Sequence, residues 1–233
     1  MSRSSHHVQR ACVAVVLAIA AAVPSARAIS LDWVTVGDPG NAADAYNSSW
    51  GMSFGAVASS YRIMEYEFTT ANYVAFLNAV DPLGTNPNSV VNSYQIQFGG
   101  ILNSGTVDGS RYSVAAGRGS LPIGVSWFQA ARVANGIQNG QGSGSTETGA
   151  YELNGLNSGN VAPFVNPNAT YFLPSIDQWY KAAYYKGGGQ NAGYWTYATQ
   201  SNIQPSPISV DPVTNDGSAG PSGNFANAGG GYW

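Results

Sequence analysis

The chain has a single cysteine, Cys12, and two histidines, His6 and His7, and all three fall in its first 28 residues. Those residues read as an export leader. Arg3 and Arg10 give a positive start, the run 11–23 is apolar but too short to span a bilayer, Pro24 breaks it, and Ala26-Arg27-Ala28 offers small residues for cleavage after Ala28. Residues 29–233 then contain neither cysteine nor histidine. That excludes disulfides, thiol nucleophiles, Ser-His-Asp triads, zinc sites with nitrogen or sulfur ligands, and histidine-held iron. Charge is scarce too, at 9% of residues. Without the leader, six basic residues face twelve acidic ones, a net charge of −6. Lys and Arg form no cluster, so no nucleic-acid partner is expected. No other run approaches the ~18 apolar residues of a transmembrane helix. The expectation is an exported protein, periplasmic or extracellular, with no membrane span after leader cleavage.

Glycine and aromatics are abundant instead: 29 Gly, 14 Tyr and 6 Trp, against that low charge, point to a loop-rich domain with a neutral polar surface. Residues 29–233 are read as one domain, with 203–233 as loop or disordered because Pro, Ser, Gly and Asn dominate there. Leu31 to Gly40 reads as a strand closed by a turn at Asp38-Pro39-Gly40, and Tyr61 to Phe68 as a strand of mixed faces. Thr69 or Thr70 can cap a helix whose face is Tyr73, Phe76, Leu77 and Val80, ended by Asp81-Pro82. Gly99 to Leu121 reads as short strands and turns. Ser126 and Gln129 form a capping box for a helix with a narrow face of Trp127, Ala130, Ala131 and Ala134, ending at Gly136 or Gly140. Thr146 to Leu153 is a candidate strand.

The clearest signal lies at 173–189. Pro174 stops what precedes it, Ser175 and Gln178 form another capping box, and Gly187, Gly188 and Gly189 stop the helix. Ile176, Trp179, Tyr180, Ala183 and Tyr184 recur at helical period and predict an inward face.

The wording of this helix, Leu173-Pro174-Ser175-Ile176-Asp177-Gln178-Trp179-Tyr180-Lys181-Ala182-Ala183-Tyr184-Tyr185, resembles the "LPTEDEWYKAAYY" helix of the formylglycine-generating enzyme, or sulfatase-modifying factor, family. Other blocks are similar to the family in its usual order. Val36 to Asn41 resembles "VGDPGN", and Tyr61 to Thr69 resembles "YxIxxYEVT". Tyr73 to Asn78 is similar to the first helix, Val125 to Asn135 to "VSWFDAARFAN", and Thr146 to Tyr151 to "TExGAY". Tyr194-Trp195 and Ala198 to Asn202 continue after the 173–185 helix. The resemblance implies an α+β domain with limited regular structure, of the formylglycine-generating-enzyme type and related to C-type lectin-like folds. It also implies a later half with "GNVWEW" and "RGGS" motifs, where a cysteine pair binds copper in catalytic members. Phe225-Ala226-Asn227 is the last point of likeness, so the domain is expected to be incomplete at its C-terminal side, and no family catalytic residue falls on a position here.

Several side chains are candidates for chemistry. Glu65 and Glu67 share a strand parity, as paired carboxylates for acid and base work would. Glu147 and Glu152 raise the same question. Asp177 suits a helix N-terminus. Arg132 is read as a structural ion pair or backbone contact, and Lys181 sits beside an aromatic face. Calcium is the one metal left open, with Asp211, Asn215, Asp216 and Asn224 as oxygen donors. Copper would require cysteines from the later half. Trp127, Trp179, Tyr180 and Tyr184 are expected to point inward, whereas Tyr194, Trp195 and Tyr197 are the surface aromatics a ligand could contact. No catalytic residue, cofactor or metal ligand is assigned. The expected function is a non-catalytic binding or structural module, a pseudoenzyme whose partner is a protein or a glycan. The alternatives are a fragment of an oxidase that converts a sulfatase cysteine to formylglycine, and a lectin-like glycan binder.

Overall fold

Among the described residues, two strands with no third neighbour begin the fold: β1 (Trp33–Val36) and β2 (Tyr61–Met64) pair antiparallel, Trp33 opposite Met64 and Val36 opposite Tyr61. The structure, a computed structural model, describes residues 29–45, 52–103, 105, 110–159, 162–210, 217–218 and 224–226. The leader at 1–28 lies outside them. Among the described residues no helix is long and apolar enough to cross a membrane.

Helix α1 (Thr70–Val80) starts where Thr69 caps it, its side chain accepting from Asn72 N at 3.2 Å, and Asp81 ends it. Tyr73, Phe76 and Leu77 are buried as their spacing predicts. A short helix follows, α2 (Ser93–Gln97), and then the hairpin strands β3 (Ile101–Asn103) and β4 (Tyr112–Val114). Tyr73, Leu77, Val90, Ile101, Tyr112 and Val133 centre one apolar core. A loop beyond α1 is organised by buried Asp81, which accepts from Thr85 N (2.8 Å), Asn86 N (2.9 Å) and the Tyr112 hydroxyl (2.5 Å).

Helix α3 (Trp127–Gln138) carries the predicted Ser126/Gln129 capping box. Its narrow alanine face is only part of what it buries, because Phe128 and Gln129 and every residue from Ala131 to Gly136 are buried. The helix is surrounded: Val133 belongs to the first core, while Phe128, Ala131 and Ala134 join Ala150, Tyr151 and Leu153 in a second. Gly136 does not end it. A Cβ there would lie 3.2 Å from the Phe76 ring, so glycine lets α1 and α3 approach.

Three readings are corrected. Strand β2 stops at Met64 rather than Phe68. Residues 146–153 form turns instead of a strand, since side chains take their backbone groups: Tyr151 N donates to Asn135 Oδ1 (2.8 Å), and Asn135 Nδ2 donates to the carbonyls of Thr146 (2.8 Å) and Tyr151 (3.0 Å). The tail read as loop contains two-residue strands: β5 (Ser206–Pro207) parallel to β8 (Phe225–Ala226), and β6 (Ser209–Val210) antiparallel to β7 (Gly217–Ser218). Helix and small sheets mix throughout, with much loop. The fold class is α+β.

Candidate functional site

Helix α4 (Ile176–Tyr184) has its Ser175/Gln178 capping box, yet its apolar face turns inward only in part, with Tyr180, Ala183 and Tyr184 half-buried. Ile176 is 58% exposed and Trp179 49%, whereas Lys181 is buried. Polar tethers decide this orientation. Lys181 Nζ donates to the carbonyls of Gly37 (2.6 Å) and Asp38 (2.8 Å), and the Tyr185 ring lies 5.4 Å from it. Gly55 N donates to Asp177 Oδ1 at 2.8 Å, Tyr180 donates to Asp44 Oδ2 at 2.7 Å, and the Tyr61 hydroxyl donates to Gln178 O. Burial lowers the Lys181 ammonium below its ordinary value, against a pull from Asp38. Burial raises the Tyr61 phenol to about 12.

Trp179, left outside the cores, forms one lip of a groove of about 650 Å³. That volume lies in the ~300–1,000 Å³ range of ligand sites. Val133, Ala134 and Ile137 of α3, with Phe68 and Ile123, lie under it. One wall is the segment 170–174, pinned to α3 because Gln138 Oε1 accepts from Thr170 N (2.8 Å) and Tyr171 N (3.0 Å), and to the second core because Leu173 N donates to the Tyr151 hydroxyl (2.9 Å). Residues 61–68 form the opposite wall, with Leu31 and Trp33. The Trp33 and Tyr171 rings meet at 5.8 Å, and Arg62 lies 5.8 Å from the Trp33 ring centre. The groove is apolar on both walls and below, and its exposed charges are Arg62, Glu65 and Glu67.

The residues singled out from sequence scatter. Glu65 and Glu67 are both exposed at the groove rim. Glu147 is far from catalytic pairing with Glu152: it forms a bidentate ion pair with fully buried Arg132, Oε1 at 2.8 Å from Nε and Oε2 at 3.1 Å from NH2. Burial alone would raise the Glu147 carboxyl, but hydrogen bonds from Arg132, Gly155 N and Thr146 outweigh it and hold the group below its usual value. Glu152 accepts from Asn166 Nδ2 at 3.0 Å. Asp211, Asn215 and Asp216 lie outside the described residues, and Asn224 Nδ2 donates to Ile203 O at 2.6 Å. Among the described residues no group of three or more Asp or Glu is gathered as a metal site would need.

The three surface aromatics are all half-buried, and no ring contact joins them among the described residues. Tyr194 packs on Tyr180 (5.5 Å) and Tyr185 (5.0 Å), and its hydroxyl accepts from Asn41 Nδ2 (2.7 Å) while donating to Ala42 O (2.9 Å). Burial raises its phenol to about 12. Trp195 lies under the Lys186 ammonium at 4.8 Å. Tyr197 bridges to Ser201, its N–H donating to Ser201 O at 3.0 Å. Sequence reading missed the groove, although Tyr171, Phe172 and Trp179 within nine residues signalled an aromatic wall. Comparison of the chain with protein-family models, with curated proteins and with solved structures gives no match.

Proposed function

We propose that this is an exported, non-catalytic binding module of the formylglycine-generating-enzyme type, and that the groove between residues 61–68 and 170–174 is where it binds. The groove carries the reading. Its aromatic lip stays exposed while polar tethers fix α4 behind it, so the apolar surface is present before any ligand arrives. The family part of the reading rests on the sequence blocks. Tyr61 to Thr69 forms a groove wall, Ser126 to Asn135 runs beneath it, and Leu173 to Tyr185 supplies its lip. A relation to C-type lectin-like folds belongs to the same proposal.

An apolar dye tests the site. Anilinonaphthalene sulfonate added to the purified chain should gain fluorescence at one saturable site, with energy transfer from Trp179 and Trp33. Trp179→Ser and Leu173→Ser should each weaken dye binding at least fivefold. Unchanged dye affinity in both variants would remove the groove as the binding site. Incubation with copper, oxygen and a peptide carrying a sulfatase cysteine motif tests the non-catalytic half of the reading. The peptide should keep its mass, and conversion to formylglycine would overturn it.

A further inference from the structure

The groove touches its two strands differently. Of β1 it meets only Trp33, with Leu31 just before the strand. From the second wall it meets every residue from 61 to 68, and so all four residues of β2, both parities in succession. Successive side chains of a strand point to opposite faces. A groove that touches all of them therefore runs along the strand's edge, where the backbone is.

That edge is unpaired. Glu65 N donates to Asp32 O at 2.9 Å, next to the Trp33–Met64 pair. Bonded and non-bonded pairs alternate in an antiparallel ladder, so the backbone groups of Tyr61, Ile63 and Glu65 face β1. Those of Arg62 and Met64 face away from it, and Tyr66 lies in the bend beyond the strand. Among the described residues, nothing pairs with the backbone N–H or C=O of Arg62 and Met64. Further along, the chain is paired again: Ile123 N donates to Phe68 O at 3.1 Å, and Thr69 bridges to Pro122. The open stretch is thus bounded, and apolar walls flank its donors and acceptors.

Resting on the reading of the groove as a binding site, we infer that its ligand is an extended polypeptide strand of a partner protein, added antiparallel to the outer edge of β2. Backbone hydrogen bonds to Arg62 and Met64 supply the pairing, and alternate apolar side chains fill the space over Phe68, Val133 and Ile137. Charge fixes direction and composition. Exposed Glu65 and Glu67 lie at one end and exposed Arg62 at the other. An antiparallel strand meets the carboxylates with its N-terminal residues and Arg62 with its C-terminal ones, so it is basic first, apolar at alternate positions, and acidic last. A smooth apolar small molecule would leave the edge donors unmet, which favours a peptide.

The test uses the full chain and a labelled heptapeptide of alternating valine and threonine, with lysine first and glutamate last. Binding is read by anisotropy, beside two N-methylated forms, one methylated at odd and one at even positions. Strand addition predicts that one N-methylated form binds at least tenfold more weakly and the other within threefold of the parent. Met64→Pro removes one outward N–H without touching the bonds to β1, and it should also weaken the peptide at least tenfold. Equal affinity of both methylated forms with the parent overturns the inference. Dye binding with no peptide binding overturns it too and leaves the proposed function standing. If neither binds, both fall. A dimer in sedimentation that Met64→Pro abolishes would assign the edge to a second copy of this chain and overturn the partner.

Discussion

Gln95 and Gln129 are the third residues of two different helices, α2 and α3, and each donates its amide to the other's carbonyl oxygen, at 3.4 and 3.2 Å. Both are buried. Each also closes a capping box, Gln95 Oε1 accepting from Asn92 N and Gln129 Oε1 from Ser126 N, both at 2.9 Å. The remaining donors reach Gly124 O from Gln95 and the carbonyls of Ser89 and Val90 from Gln129. Two helix starts are thereby locked together inside the protein by one satisfied polar unit. Replacing either glutamine strands its partner's groups, at about 2–3 kcal/mol. Gln95→Leu and Gln129→Leu should each lower stability by about that amount in urea melts. The double variant should cost clearly less than their sum, because the stranded groups go together. Full additivity would mean the two caps act independently.

Arg132 and Glu147 make another largely buried polar contact. Arg132 side-chain exposure is 1% and that of Glu147 is 22%, and Arg132 also donates to Leu156 O at 2.9 Å. Breaking a buried pair costs ~3–5 kcal/mol, and partial exposure of Glu147 favours the low end. Arg132→Met should cost about 3 kcal/mol. Because the Glu147 carboxyl is held below its usual 4.5, the folded chain binds fewer protons there than the unfolded one. That stability is present above pH 4.5 and is lost as pH falls through the folded value. Glu147→Gln should therefore flatten the acid limb of stability measured by denaturant titration. An unchanged limb would show that other carboxylates govern acid unfolding.

These two contacts also mark what the sequence reveals. Ser126 with Gln129, Ser175 with Gln178, and Thr69 are local signals, and each cap forms as the spacing predicts. Asn92 and Gln95 use the same grammar, yet α2 is five residues long and has no apolar period to draw attention to it. Arg132 is legible as an ion-pair residue, but its partner fifteen positions away is not. Residues 146–153 look like a strand because alternation says nothing of Asn135, which supplies the partners a ladder would have given. Helix α4 is misread in part for a similar reason: its period is genuine, but hydrogen bonds to Gly37, Asp38 and Gly55 outrank it in setting which side faces in. The groove needs three distant segments at once, and no local pattern announces that.

Alkaline pH should unfold the protein through its tyrosines. Burial raises Tyr61 and Tyr194 to about 12 and moves Tyr73 and Tyr112 higher still, with Asp81 adding to Tyr112. A folded value above the unfolded 10.0 contributes stability that is complete below pH 10 and lost as pH rises towards 12. Lys181 runs the other way, since its lowered value makes stability rise with pH up to 10.5. Burial raises Tyr151 as well, so one lysine stands against five tyrosines and the net effect above pH 10 is loss. Absorbance at 295 nm should show these phenols ionising in one cooperative step that coincides with loss of circular dichroism. Gradual ionisation near pH 10 with the dichroism intact would show that these five hydroxyls are not held by the fold.

Gly55 is clamped on three sides, and its replacement should be the most costly single methyl in the loop behind α4. Its N–H donates to Asp177 Oδ1 and its carbonyl accepts from Asn41 Nδ2, both at 2.8 Å. Its φ is +96°, which L side chains rarely adopt, and a Cβ there would lie 2.5 Å from the Tyr194 hydroxyl and 2.8 Å from the ring. Tyr194 cannot yield cheaply, because its hydroxyl is already bonded to Asn41 and Ala42. Gly55→Ala should cost about 2–3 kcal/mol in thermal or urea melts, combining backbone strain with overpacking. Gly124→Ala is the matched control. Nothing lies within 4 Å of its added Cβ, and it should change stability by less than about 0.5 kcal/mol. Equal behaviour of the two variants would mean that Tyr194 swings out freely. The loop carrying Asn41 and Gly55 would then not fix α4, and the lip of the groove that α4 provides would have no rigid support.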